Sequence, residues 1–335
     1  MREITVFGLD VAKNVFEVAS LGRRDQLVSR KTLSRVKLLD WFARQPRVLV
    51  ALEACGGSHY WARELRALGF PVKMIAATET AKYRTGHQKN DARDAVAIAR
   101  AALSEQVRPV GEKSEDQLQL QALFRLRERL MKQRIATGNY LRACLLEFGI
   151  ALAKSDRALR EGVRAALDDE RLPVQLRETI LRPELEAHGA LDERIKDLDR
   201  VLTRQAKADP MGRALLDLQG IGPLTASYLS GVRGGARECR RGRDLSAQAG
   251  VVPCQSSTGG RTRLGRMTKR GDKTLRTLLM HGARSILSNP NTKGPLAQWG
   301  REVAARRGFN IAVGAVANKL ARHAWAEMNR VATAG

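Results

Sequence analysis

Two apolar stretches decide how this chain folds. They are Ile4-Thr5-Val6-Phe7-Gly8-Leu9, which ends at Asp10, and Arg47-Val48-Leu49-Val50-Ala51-Leu52, which ends at Glu53. The first is rich in β-branched and aromatic residues, as a strand requires. The second is a continuous apolar run, the pattern of a parallel strand covered on both faces. Between them, Val15 to Leu21 alternates and Leu27 to Thr32 is strand-like, so a β-meander is predicted, with Ser34 placed to cap a helix to about Arg44. After Glu53 the pair Gly56-Gly57 breaks the chain, Ser58 can cap a helix to about Leu68, and Pro71 to Ile75 reads as another strand. A meander followed by strand, helix and strand predicts an α/β sheet. If the two deciding strands are parallel neighbours, Asp10 and Glu53 meet at the strand ends, where open α/β sheets build their sites.

The texture changes after residue 110, and three segments are expected: 1–110, 111–208 and 209–335. Leu118 to Phe148 predicts one long helix, and about Glu184 to Ala208 another, with Leu185, Leu191, Ile195, Leu198 and Leu202 forming an apolar stripe. That stripe fits either a coiled coil, antiparallel or between molecules, or a helical hairpin within the chain. Further on, Gln219-Gly220-Ile221-Gly222-Pro223 between apolar helices has the form of a helix-hairpin-helix. Gly220 and Gly222 would allow a tight turn and a close phosphate, met by the N–H groups of the second helix. An ordinary tight turn is the other reading. Ser246 to Gly250, Lys273 to Leu287 and Ile311 to Met328 read as helices, and Val251 to Gly271 as a loop or ribbon.

Composition narrows the function. The chain has 335 residues, 59 basic and 35 acidic, for a net charge of +24. Segment 209–335 carries 21 basic and 7 acidic residues, a net +14, against +8 for 1–110 and +2 for 111–208. A polyanionic partner follows from such a balance, nucleic acid first among them. The apolar runs are too short for a membrane span. The four cysteines form no paired or zinc-like spacing. With no leader-like start, reduced thiols in a cytoplasmic, nucleoid-associated protein are expected.

Four carboxylates stand out. Asp91 and Asp94 lie three apart at the start of a helix, on one face. With Asp10 and Glu53 they would make a crowded acid site, which hard cations such as Mg²⁺ stabilise and which suits phosphoryl transfer. Singly, Asp91 or Asp94 reads first as a helix cap or dipole partner, and Asp10 as a turn former. Neutralising one member is expected to relieve repulsion. Far along the chain, Ser256-Ser257-Thr258-Gly259-Gly260 precedes Arg261, Arg263, Arg266, Lys269, Arg270, Lys273 and Arg276, seven cations in sixteen residues opposed by Asp272 alone. Such a segment binds phosphate. A serine within it is either a nucleophile or only a hydrogen-bond donor.

Taken together, Gly8-Leu9-Asp10, Leu52-Glu53-Ala54, the Asp91/Asp94 block, Gln219 to Ala226 and Ser257 to Gly271 resemble the DEDD insertion-sequence transposases of the insertion sequence 110 family, the Thr-Gly-Gly and Leu264-Gly265-Arg266 runs being more like its 1111 branch. The resemblance covers nearly the whole chain. It implies a RuvC-like, RNase H-like acidic catalytic domain over 1–110, a helical coiled-coil and oligomerisation segment over 111–208, and a mainly helical C-terminal transposase domain. It implies Mg²⁺ held by Asp10, Glu53, Asp91 and Asp94. A serine would attack the DNA backbone, and a structured guide RNA would bridge donor and target double-stranded DNA. A working dimer to tetramer is also implied. Counting back from Met267 assigns the nucleophile to Ser257, and counting forward from Pro253 points to Thr258. Ser257 is chosen because threonine is more hindered and the family's enzymes use serine. The rival readings are a metal-dependent junction nuclease that uses water, and a nucleic-acid-binding protein without catalysis.

Overall fold

The computed structural model describes residues 3–84, 91–232, 239–258 and 260–334. Residues 1–114 form one compact unit and 115–335 a second, and the helices of the middle segment belong to the second.

The first unit is a six-stranded mixed sheet with the order β3-β2-β1-β4-β5-β6. Its strands are β1 (Ile4–Asp10), β2 (Val15–Gly22), β3 (Leu27–Ser34), β4 (Leu49–Glu53), β5 (Val72–Ile75) and β6 (Pro109–Val110). β1, β2 and β3 form the antiparallel meander, while β4 runs parallel to β1 and to β5. Helices α1 (Leu38–Ala43), α2 (Ser58–Ala67), α3 (Ala77–Thr80) and α4 (Asp91–Leu103) complete the unit. Alternation sorts the side chains. Phe7, Leu9, Val50 and Leu52 face Phe42 and Trp61 of α1 and α2. Val6, Ala19 and Ala51 face Ala95, Ile98 and Ala99 of α4. The second face carries small residues, so α4 lies close to the sheet.

Two expected caps do not form. Ser34 ends β3 and makes no cap bond, and a short 3₁₀ turn, Arg35–Lys37, precedes α1. The N-cap of α2 is Gly57, at φ 87°, rather than Ser58. The Ser58 hydroxyl instead donates to the Cys55 carbonyl at 2.9 Å and accepts from the Cys55 N–H at 3.2 Å. A loop bond has displaced the cap, and it fixes the turn that follows Glu53.

The second unit opens with α5 (Glu115–Glu147), α6 (Asp156–Leu167) and α7 (Arg182–Ala208), the last preceded by a π-helical turn. α5 and α7 pair along the chain as a hairpin. The residues α7 buries are His188, Asp192, Ile195, Leu202 and Ala206. Leu185, Leu191 and Leu198 of the expected stripe are only half-buried. The seam is therefore rotated toward polar positions. Asp192 accepts from Arg134 of α5 and Arg160 of α6, and Arg127 of α5 pairs with Asp199. Next come α8 (Pro210–Leu216), α9 (Pro223–Ser227), α10 (Gly242–Gln248), strands β7 (Pro253–Thr258) and β8 (Arg261–Met267), α11 (Lys273–Ser288), α12 (Pro295–Arg307) and α13 (Phe309–Ala334). α9 through α13 enclose one core, which Phe124 of α5 and Leu202 of α7 join. The sequence reading had no helix at α6 or α12.

Candidate active site

Leu9 and Leu52 are direct partners on the parallel strands β1 and β4. Asp10 and Glu53, each one residue further, therefore end side by side. The Cys55 thiol lies in the loop beyond, where burial raises its pKa first and the charges of Glu53 and Asp10 raise it further. This places both carboxylates within electrostatic reach of one point. Asp94 comes from the first turn of α4 and is buried. Asp91 is the first residue of that helix, and its side chain lies outside the described residues.

Two residues that the sequence reading missed complete the site. Thr80, buried at the end of α3, donates its hydroxyl hydrogen to Glu53 Oε2 at 2.5 Å, with the Ala77 carbonyl oxygen 3.0 Å from the same hydroxyl oxygen. Arg84 pairs with Asp94 Oδ1 through Nε at 2.8 Å and with Glu53 Oε2 through a terminal guanidinium nitrogen at 3.6 Å. Neither belongs to a recognisable motif; only the fold brings them to the acids. Arg84 also corrects the expectation that these carboxylates simply repel one another. A cation already offsets part of their charge, so removing one acid leaves an arginine short of a partner.

A hard, oxygen-only donor set at adjoining strand ends fits a divalent ion. Asp10, Glu53 and Asp94 are the described residues that would hold it. As they stand, no three described His, Cys, Asp or Glu side chains are gathered at coordinating distance. Arg84 bridges two of the acids.

The serine segment is an exposed two-stranded ribbon, β7 paired with β8. Ser257 opposes Thr262, Ser256 opposes Arg263, and Thr258 opposes Arg261. Opposed residues share a face, and faces alternate along a strand. Ser256 and Thr258 therefore share the face of Arg261 and Arg263. Ser257 lies on the other face, where it accepts a hydrogen bond from the Gln255 side-chain amide at 2.8 Å. Gly260, at φ 75°, sits in the turn, and Gly259 lies outside the described residues. Arg266, Lys269, Arg270 and Lys273 are exposed. Arg276 differs, since it donates to the Ala249 carbonyl and so braces the base of the ribbon. Asp272 caps α11 and accepts from the Tyr228 hydroxyl.

In the turn between α8 and α9, Gly220 has φ 85°, as the turn needs. Its close approach is to Gly282 of α11, however, not to open space: a Cβ on Gly282 would lie 2.0 Å from the Gly220 carbonyl oxygen. Gly222 is open on its side-chain side. This turn, Lys273 and His281 border a cavity of about 880 Å³, walled on its apolar side by Phe124, Met131 and Leu278.

Residues 7–150 match the profile of the DEDD transposases of the IS110 type, described as a transposase. Residues 212–295 match the profile described as transposase IS116/IS110/IS902 family. A probable family 20 transposase of Pseudomonas aeruginosa is 41% identical over 330 residues, covering 96% of each chain. The transposase for insertion sequence element IS1328 of Yersinia enterocolitica is 35% identical over 327 residues, 97% of each chain. The transposase for IS1111A of Coxiella burnetii is 33% identical over 335 residues, covering 99% of this chain and 92% of the relative.

Proposed function

The chain belongs to the IS110 family of transposases, DNA-cleaving enzymes of the DEDD type, and we propose that it cuts and rejoins DNA by magnesium-dependent serine attack on the DNA backbone, guided by a structured RNA. The observation that carries this reading is the adjacency of Asp10 and Glu53 at two parallel strand ends, with Asp94 supplied by α4. Asp10, Glu53 and Asp94 would hold Mg²⁺, with Asp91 as the fourth acid. Bound there, the ion would supply charge neutralisation at a phosphoryl group.

The chain's own residues do the rest. Thr80 fixes one Glu53 oxygen. Gln255 donates to the Ser257 hydroxyl and so orients it. A bond forms between Ser257 Oγ and phosphorus as the bond from phosphorus to a deoxyribose oxygen breaks. The serine proton is lost and the departing oxygen gains one. One phosphate ester replaces another, so rejoining needs no external energy source. Arg261, Arg263, Arg266, Lys269, Arg270 and Lys273, with the loop glycines and Thr258, supply phosphate contacts. At the helix-hairpin-helix turn Gly222, open on its side-chain side, is left to meet the DNA backbone, while Gly220 shapes the turn and packs on α11. The α5–α7 hairpin offers a surface for a dimer or tetramer. No described helix is long and apolar enough to cross a membrane, and the cytoplasmic, nucleoid-associated location follows from the DNA substrate. Strand cleavage of element-end DNA in Mg²⁺, lost in EDTA and lost with Glu53→Gln, tests the acid centre. Sequencing the RNA that copurifies with the protein tests guidance: it should pair with both DNA partners.

A further inference from the structure

Arg84 is the side chain that the acid-centre reading leaves without a role. It serves two carboxylates from different elements, Glu53 at the end of β4 and Asp94 in the first turn of α4. The Asp94 side chain is 7% exposed and Arg84 34% exposed, so the pair is shielded on one side and open on the other. Glu53 Oε2 receives both the Thr80 hydroxyl and the arginine. The oxygens engaged here, Asp94 Oδ1 and Glu53 Oε2, are one from each carboxylate, and a divalent ion coordinated through them would need the same lone pairs. A guanidinium and a metal ion cannot hold the same lone pairs together, and each neutralises the same charge. They are alternative partners.

We propose that Arg84 is a positioning residue that works as a displaceable counter-ion: it holds Glu53 and Asp94 toward each other and gives up their oxygens when the metal binds. The proposal rests on the acid-centre reading. Its mechanical basis is local. Thr80, anchored on Glu53, opens the short 3₁₀ turn Ala81–Tyr83, and Arg84 follows directly. The backbone is pinned while the long side chain has an open way to solvent. The planar fork of arginine can address two carboxylates at once, and lysine's single ammonium does so less well.

The test measures Mn²⁺ binding by electron paramagnetic resonance on the full chain, with thermal unfolding in parallel. Wild type, Arg84→Gln, Arg84→Lys and Asp94→Asn are compared. Removing the competing cation should tighten Mn²⁺ binding in Arg84→Gln by roughly threefold or more, on the scale of a partly exposed ion pair. Arg84→Lys should fall between Arg84→Gln and wild type. In chelator Arg84→Gln should melt lower than wild type, and Mn²⁺ should close that gap. A purely structural clamp predicts the lower melting without the tighter binding. If folded Arg84→Gln binds Mn²⁺ no better than wild type, the counter-ion role is overturned while the metal centre stands. If wild type binds no better than Asp94→Asn, the metal-centre reading fails and the counter-ion role falls with it. Should Arg84→Gln fail to fold, Arg84→Lys decides: tighter binding than wild type supports the proposal, and equal or weaker binding overturns it.

Discussion

The carbonyl oxygen of Ala95 lies where a side chain on residue 8 would begin: a Cβ on Gly8 would stand 2.0 Å from it. The missing side chain lets α4 rest directly on β1. Asp94 immediately precedes Ala95, and Asp10 lies two residues beyond Gly8, so this contact sets how deeply Asp94 reaches toward the strand ends. Gly8→Ala should push α4 outward, because the clash is with backbone. We expect a loss of about 1–3 kcal/mol in chemical denaturation, the scale of overpacking, together with loss of DNA cleavage. An unchanged midpoint with full cleavage would show that the glycine does not set this spacing.

The acids should separate chemistry from folding. Asp94→Asn should abolish cleavage yet leave a folded protein. Because Arg84 pairs with Asp94, stability in chelator should fall by about 1 kcal/mol rather than rise. A clear rise in melting temperature would mean that repulsion among the acids outweighs their pairing with Arg84.

His188 predicts a pH dependence. It is buried on α7, with Nε2 3.3 Å from Asp156 and Nδ1 unpartnered. Burial lowers its pKa from the ordinary 6.5; Asp156 and Asp192 act to raise it, while Arg134 and Arg160 lower it further. The unfolded chain therefore takes up a proton before the folded one does, and stability falls as pH drops below 6.5. Differential scanning calorimetry between neutral and mildly acidic pH should show this fall, and His188→Gln should make it smaller. Identical pH profiles would mean that His188 is not held neutral.

The ribbon should bind phosphate by charge. Affinity for duplex DNA should fall steeply with salt, and Arg261→Gln or Arg263→Gln should each reduce the log–log slope by about one. Fluorescence anisotropy over a salt series measures it. Slopes equal to wild type would place these arginines away from the DNA.

What the sequence made legible is what repeats locally. Two apolar runs ending in Asp10 and Glu53 have strand composition, and the fold makes them the parallel neighbours that the sequence left as a condition. Thr80 and Arg84 were invisible for the opposite reason. They sit at the end of the four-residue helix α3 and just past the 3₁₀ turn that follows it, elements too short to leave a periodic signal, and only the fold brings them to the acids. The α7 seam misled because apolar periodicity is blind to buried polar groups. His188 and Asp192 are buried in the seam stretch where Leu185 and Leu191 were expected to pack. The ribbon was legible in composition but not in facing, because one register step decides which hydroxyl shares a face with Arg261 and Arg263.

The central claim is that a serine of this chain becomes joined to DNA. It is tested most directly by trapping the covalent protein–DNA adduct on a suicide substrate in Mg²⁺, comparing wild type with Ser257→Ala, Ser256→Ala and Thr258→Ala and with Glu53→Gln. The account predicts an adduct in wild type, Ser256→Ala and Thr258→Ala, with none in Ser257→Ala or Glu53→Gln. An adduct that survives Ser257→Ala but disappears in Thr258→Ala would move the nucleophile to the face shared with Arg261 and Arg263. Strand cleavage with no adduct in any variant would contradict serine chemistry and leave water as the nucleophile.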